Sequence, residues 1–262
     1  MKIFFSESNN DYSSYTFNYA VYAVKEDDSD LPQIYGQGFL PYSSDPSLTL
    51  ETYYLARSLR VDLNHFADTS ENRRVHRKME HLDIQVEAIA KADLMEQADF
   101  FDFCLAYAQE RFSNNAMDAA RLQYILKRES ANTILKFMSN GKAIGYVLAI
   151  IHENFFHYWY AFFDTTLLNT YPIGKWIMWR SLHWAKVEGL EHVYLGTCYG
   201  KSALYKARDF KGLEFFDGMQ WNQDVKLLKS LCKSDEELKA KDRFKEMEDK
   251  NSILLDFTID NS

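Results

Sequence analysis

The stretch TILKFMSNGKAIGYVLAII, residues 133–151, reads as two strands folded back on each other at Asn140-Gly141. Asn-Gly between alternating apolar residues is the strongest short-range hairpin signal, because both turn positions need positive φ. HYWYAFFD (157–164) supplies a third strand, rich in aromatic residues that suit a pleated surface. A loop with Pro172 and Gly174 leads into a helix over KWIMWRSLHWAKVEG, ended by Gly189. HVYLGTCYG (192–200) is a fourth strand, SALYKARD a short helix and LEFFDGMQW (213–221) a last strand. The order is β-β-β-α-β-α-β. A helix between the third and fourth strands requires a parallel crossover, so the class is α/β, a mixed sheet flanked by helices.

Toward the N-terminus, YTFNYAVYAV (15–24) reads as a strand and the acidic run Glu26 to Asp30 with Pro32 as a loop. GQGFLPYSSDPSLTL (36–50) carries two Gly, two Pro and three Ser and reads as an irregular loop, long enough to be functional. YYLARSLRVDL (53–63) has the alternation of one half-buried strand. Thr69 or Ser70 caps a helix with Glu71 in its first turn. A helical pattern then runs through LDIQVEAIAKA (82–92) and DLMEQADFFDFCLAYAQERF (93–112), broken near 91–94, and SNNAMD (113–118) caps another helix to about Arg128. The lysine- and acid-rich tail is expected to be helical to about residue 249. The expected units are an N-terminal α/β lobe with the basic helix (1–92), a C-terminal lobe (93–221) and a helical tail (222–262).

Composition narrows the function classes. The 262 residues are 47% apolar and 16% aromatic, enough for a large core and too much for a disordered chain. Cys104, Cys198 and Cys232 are too few and too far apart for a disulfide scaffold or a CxxC motif, and suit a reducing cytoplasm. No secretory h-region opens the chain, and the longest apolar runs, such as AIGYVLAII, are about half a membrane span. The expectation is a cytoplasmic protein with no membrane partner. Thirty basic against 38 acidic residues, a net of −8, argue against DNA and indiscriminate nucleic-acid binding, while leaving room for a local basic patch.

Such a patch exists. Residues 57–78 hold Arg57, Arg60, Arg73, Arg74, Arg77 and Lys78 against Asp62, Asp68 and Glu71. Arg73, Arg74, Arg77 and Lys78 share a broad helix face. Such a face binds phosphates or carboxylates through charge-assisted hydrogen bonds, or is simply a solvated surface. His76 and His81 have no carboxylate to complete a metal set, so no metal is expected. His152 and His157 read as ordinary strand-end residues and Cys198 as a buried spacer. YWYAFF (158–163) reads as core, with alternate members free to line a groove for a base or an aminoacyl chain.

The element order and spacing of the second half resemble the GNAT acyltransferase fold, present as one lobe beside an N-terminal α/β lobe or as two lobes. Acyl-CoA-using members hold pyrophosphate on the backbone of a glycine-rich helix start. The equivalent turn here, TYPIGKW (170–176), has one Gly followed by Lys175 and the bulky Trp176. The short helix with Tyr205 and Lys206 falls where that fold places groups near the acyl carbonyl.

Further segments, in order, resemble the arginyl-tRNA–protein transferases and their leucyl-transferring branch. They are GFLPYS (38–43), ARSLRVDLNHF (56–66), SENRRVHRKM (70–79), NGKAIGYVLAI (140–150), WYAFFDTTLLNTYPIGKWIMWRSL (159–182) and YLGTCYGKSALYKARDFKGLEFF (194–216). The family's N-terminal cysteine cluster is missing, since no Cys precedes Cys104, so the resemblance implies no cofactor. It implies aminoacyl transfer from a charged tRNA, carrying Arg or Leu, to the N-terminal α-amine of an acceptor protein that begins with an acidic residue. Tyr205, Lys206 and Asp164 become the candidate catalytic group. Tyr42, Ser43, Arg57, Arg60, Arg73, Arg74, Arg77, Lys78 and Lys175 become the candidate substrate- and tRNA-binding group. An acetyl-CoA-dependent N-acetyltransferase and a non-catalytic tRNA-binding module of the same fold are the alternatives.

Overall fold

The computed structural model describes residues 1–11, 16–43, 45, 47–95, 97–112 and 117–239. The hairpin at Asn140-Gly141 organises the larger of two sheets. β7 (Thr133–Ser139) and β8 (Lys142–His152) pair antiparallel from Ser139↔Lys142 outward. Asn140 (φ 49°) and Gly141 (φ 76°) both take the positive φ that this turn demands. β9 (Phe155–Phe163) adds antiparallel to β8, and the helix α6 (Ile173–Val187) returns the chain to β10 (His192–Thr197), parallel to β9. Ile173, Trp176 and Ile177 of α6 are spaced at three and four residues and, with Leu182 and Ala185, are buried. Ile177 and Leu182 are fully buried, each worth about 1.5–3 kcal/mol. Gly189 (φ 78°) follows the end of the helix, as expected.

The N-terminal residues contribute to both sheets. β1 (Lys2–Asp11), β2 (Thr16–Val24), β3 (Phe39–Pro41) and β4 (Thr52–Leu55) form an antiparallel sheet in the order β1-β2-β4-β3. β5 (Ser58–Asp62), β6 (Gln85–Ala90), β11 (Leu213–Phe216) and β12 (Trp221–Asn222) complete an eight-stranded sheet ordered β12-β11-β5-β10-β9-β8-β7-β6. β5 and β6 precede residue 93 yet belong to this sheet, β5 lying between β10 and β11. Among the described residues β9–β10 is the single parallel pair.

Side chains alternate between two cores, one on each face of the large sheet. Val147, Ala149, Phe156 and Tyr158 join α2 (Ser70–Met79), α6 and α8 (Val225–Lys239), whose Leu228 and Cys232 are buried. Tyr146, Leu148, Ile150, Phe155 and Phe162 join the small sheet, α1 (Leu31–Gly36), α4 (Ala98–Arg111) and α5 (Ala119–Lys127). α3 (Lys91–Met95) and α7 (Tyr205–Asp209) are short. Among the described residues no helix is long and apolar enough to cross a membrane.

Four local expectations change. Residues 85–90, expected within a helix, form β6, paired with β7 from Gln85↔Met138 to Ala90↔Thr133. Asp83 (φ 43°) turns the chain out of the preceding helical segment, and the open edge of β7 then outweighs a marginal helical period. The loop 36–50 contains β3, fixed by pairing Phe39↔Leu55 and Leu40↔Tyr54. Pro32 opens α1 rather than a loop. The single strands expected over 53–63 and 213–221 are each two strands, and β4 and β5 belong to different sheets. The tail helix is described as far as Lys239, so its expected continuation to about 249 lies outside the described residues.

Candidate functional site

The parallel pairing of β9 and β10 runs from Phe155↔His192 to His157↔Tyr194 and stops. Two local irregularities stop it. Trp159 is an extra residue in β9, where Leu148 faces Tyr160 and Ala149 faces Tyr158, so β9 bulges. At the same level Gly196 (φ 77°) breaks the register of β10 against β5 between Tyr194 and Thr197. The strands diverge and open a cleft of about 370 Å³. Trp159, Tyr160, Gly196 and Thr197 line its sides, Leu40 to Ser43 and Tyr54 reach it from the small sheet, Arg121 from α5, and His157 stands where the strands part. The bulge explains why Trp159 and Tyr160, neighbours in sequence, both line the cleft instead of alternate aromatics.

Tyr42 and Ser43 are therefore in the cleft. Ser43 Oγ is 3.0 Å from the Tyr160 hydroxyl, and Tyr42 packs edge-on to Tyr22 and Tyr54. Lys206 comes from the opposite face of the sheet. Its Nζ donates to the Leu195 carbonyl at 2.6 Å and lies 4.0 Å from where a Cβ on Gly196 would stand. Burial lowers its pKa from 10.5 to about 8.

His157 is not a strand-end residue. It is interior to β9 and 1% exposed. Its Nδ1 is 2.8 Å from the Tyr35 hydroxyl, while its Nε2 is buried with no hydrogen-bond partner among the described residues. Burial, and secondarily the charge of Lys206, push its pKa from 6.5 down to about 3. The only sequence signal was its place in an aromatic strand ahead of Gly196; the contact with Tyr35, 122 residues away, is invisible there.

The remaining candidates sit elsewhere. α2 and α6 pack on the face of the sheet away from the aromatic cleft. Thr69 and Asn72 form a reciprocal capping box that fixes the start of α2. Arg73, Arg74, Arg77 and Lys78 are exposed on its outer side. Arg74 is bidentate to Glu71 at 2.7 and 2.8 Å, and Arg73 donates to the Asp68 carbonyl at 2.9 Å. Asp68, Ser70, His76 and Glu80 complete a groove of about 490 Å³ with Arg73 and Arg77. Arg57 is bound to Asp235 of α8 at 2.7 Å and Arg60 to Glu214 at 2.7 Å, with Trp221 stacked under its guanidinium. Asp164 caps the turn after β9, accepting from the backbone and hydroxyl of Thr166 at 2.9 and 2.5 Å. Tyr205 packs half-buried beside α2, and burial pushes its hydroxyl up to about 12.

The start of α6 answers whether an acyl-CoA pyrophosphate fits. Lys175 is bound to Glu71 at 3.2 Å and to Asp209 at 3.3 Å, inside a cavity of about 10 Å³. Arg74, then Lys175, hold the Glu71 carboxyl down at about 2, so the one cation at this turn is already engaged by a carboxylate. A Cβ on Gly174 would stand 3.0 Å from the Phe163 ring, so this glycine serves helix–strand packing. The residues at this turn do not fit a pyrophosphate. Among the described residues no group of three His, Cys, Asp or Glu side chains is placed to hold a metal ion.

Known proteins resemble this chain to different degrees. Two aspartate/glutamate leucyltransferases of Stenotrophomonas maltophilia, strains R551-3 and K279a, are each 24% identical over 176 residues, covering 63% of this chain and 68% of theirs. The solved structure of L-PGS from Bacillus licheniformis superposes with a TM-score of 0.45 at 12% identity, covering 82% of this chain and 73% of that one. Residues 69–211, from α2 through the splayed strands to α7, match the family described as an acetyltransferase (GNAT) domain. With the parallel pair, the bulge and the crossover helix all inside that span, which is more than half of its length, the chain belongs to the GNAT acetyltransferase domain family.

Proposed function

We propose that this chain transfers an aminoacyl group from a charged tRNA to the N-terminal α-amine of an acceptor protein that begins with an acidic residue. The observation that carries the reading is the contrast between two sites. At the helix start that would hold a CoA pyrophosphate, Lys175 is already paired with Glu71 and Asp209, whereas the cleft between β9 and β10 is open and aromatic. A donor with a large aromatic or polar body and no pyrophosphate suits that pair of features. The leucyltransferase relatives support the same chemistry, and the donor is arginine or leucine.

In this reading the amine attacks the ester carbonyl, a tetrahedral intermediate forms, and the tRNA leaves by its ribose oxygen. The ester is already activated, so positioning and oxyanion stabilisation suffice and no covalent enzyme intermediate is needed. Tyr42 and Ser43 contact the substrate in the cleft, and Lys206 sits beside the reacting ester. Arg73, Arg77 and Lys78, exposed on the outer side of α2, contact tRNA phosphates with Arg74 and Lys175 at their margin. Arg57 and Arg60 brace β5, the strand beside β10, Tyr205 supports Lys206, and Asp164 orients the end of β9.

The test is a transfer assay with radiolabelled Arg-tRNA or Leu-tRNA, peptides beginning with Asp, Glu or Lys, and acetyl-CoA in parallel. Label on an acidic-start peptide is expected, with a steep loss of rate as salt rises. Acetylation of an amine with no aminoacyl transfer overturns the reading. Salt-sensitive tRNA binding without turnover overturns it in favour of a binding module.

A further inference from the structure

A pair of hydroxyls joins two sides of the cleft. Ser43 Oγ lies 3.0 Å from the Tyr160 hydroxyl, both side chains line the cleft, and the bond between them is only partly buried. Ser43 belongs to the segment after β3, which the Tyr42 N–H ties to the Thr52 carbonyl at 2.9 Å. Tyr160 comes from β9, 117 residues further along the chain. The bulge at Trp159 turns Tyr160 to this face, since strict alternation would put it with Tyr158 in the opposite core. Its ring stacks on Phe162 at 6.2 Å and tilts against Trp159 at 5.3 Å, which fixes where the hydroxyl stands. Each hydroxyl has one proton to give and lone pairs to accept with, and the bond between the two uses a single proton. Whichever way that bond runs, one O–H is left to donate and both oxygens keep a lone pair, on side chains that line an open cleft. Such a pair takes up a proton at one end while releasing another at its far end, and neither residue becomes charged.

We propose that Ser43 and Tyr160 relay the proton that must pass from the attacking amine to the leaving ribose oxygen. The assignment rests on the aminoacyl-transfer reading above. The amine nitrogen bonds the ester carbon while the carbonyl π pair moves onto oxygen, and the nitrogen is left with one proton too many. Collapse re-forms C=O and breaks the ester C–O bond, whose electron pair leaves with the ribose oxygen. As it does so, the nitrogen gives a proton to one hydroxyl, that hydroxyl gives its own to the other, and the second gives its own to the ribose oxygen. Each hydroxyl ends with one proton, and the bond between them has reversed its direction. Either oxygen can be the donor, so rotation of the two hydroxyls restores the starting state. The relay spares the reaction a free alkoxide, which is the gain that acid–base catalysis supplies.

The test is a set of single turnovers with the full chain in excess over charged tRNA and an acidic-start peptide as acceptor. Tyr160→Phe, which keeps the ring packing, and Ser43→Ala should each slow transfer by about 100-fold with tRNA affinity unchanged. The double variant should be no slower than either single variant, because a relay is broken once. Ser43→Thr, which keeps a hydroxyl, should stay within about tenfold of wild type. A hydrogen bond that only positioned the segment would give the same pattern, so a further readout separates the two roles. In mixtures of light and heavy water the wild-type rate should fall along a curve, because several protons move together, while Tyr160→Phe gives a straight line. A straight line for wild type overturns the relay and leaves aminoacyl transfer intact. So do a wild-type rate in Tyr160→Phe and losses that multiply in the double variant. Absence of transfer by wild type with every charged tRNA overturns the aminoacyl-transfer reading, and the relay with it. Thermal unfolding shows whether each variant folds; if Ser43→Ala does not, Tyr160→Phe and the wild-type curve carry the decision.

Discussion

The buried imidazole of His157 leaves a mark on stability. Its pKa falls from 6.5 to about 3 in the fold, with burial the larger cause and Lys206 the next. Between those values the unfolded chain binds a proton that the folded chain refuses. Stability from this group is therefore present above pH 6.5 and is lost as pH falls toward 3. By linkage the loss from this residue is about 2 kcal/mol on going from pH 6.5 to about pH 5. His157→Gln has nothing to titrate there. Its stability relative to wild type should improve by about that amount at the lower pH. Urea unfolding of both proteins at the two pH values measures it, and a difference that does not change with pH means that the imidazole titrates normally.

At the scale of elements, the cleft is a consequence of one extra residue. Trp159 lets β9 leave β10 after His157, and it places two consecutive aromatic side chains on one face. Deleting Trp159 restores one-to-one pairing of β8 and β9 and keeps Phe162 and Phe163 on their present faces. The deleted protein is expected to unfold cooperatively but to lose aminoacyl transfer by about a hundredfold (the cost of misplacing a substrate by an ångström), whereas Trp159→Ala, which keeps the bulge, loses less. Equal activity in the deletion variant and wild type would mean that the splay does not form the substrate site. The pairing of α2 with α6 is a separate matter. The Lys175 ion pairs join the two helices on the other face of the sheet, and α2 displays its arginines outward from there.

At the scale of the whole molecule, the two sheets are sewn together by a chain that crosses between them at Ala56 and Arg57. β4 ends in the small sheet at Leu55, and β5 begins at Ser58 between β10 and β11. At the other end of β5, Gly212 (φ 76°) allows a close backbone approach, since a Cβ would stand 2.6 Å from the Asp62 carbonyl oxygen. A fragment that begins at residue 93 lacks β5, which joins β11 to β10, and the edge strand β6. It is expected to give no cooperative unfolding transition, while residues 1–239 give one; circular dichroism melts of both fragments test this. A cooperative transition in the shorter fragment would show that the sheet closes without β5. α8 adds a further tie across the molecule, with Asp235 accepting from both Arg57 and the Gly200 backbone at 2.7 and 2.9 Å.

The amino-acid sequence by itself determined what depends on near neighbours. Asn140-Gly141 sets a two-residue hairpin, the three-and-four spacing of Ile173, Trp176 and Ile177 sets α6, and a helix between two strands sets a parallel crossover. The loop that holds Tyr42 and Ser43 was legible as irregular and glycine- and proline-rich, and the structure places both residues in the cleft. Tertiary structure alone decided what depends on partners far along the chain. Gln85–Ala90 became a strand because β7 offered an open edge, and the arginines of α2 came to lie away from the cleft because β5, β9 and β10 put α2 and the aromatics on opposite faces. His157 acquired its chemistry from a tyrosine 122 residues away and a lysine reaching through from the other side of the sheet. Local periodicity encodes which segments pair and coil. Burial, protonation and the place where a strand must bend are set by the three-dimensional surroundings, whose residues no short window of sequence contains.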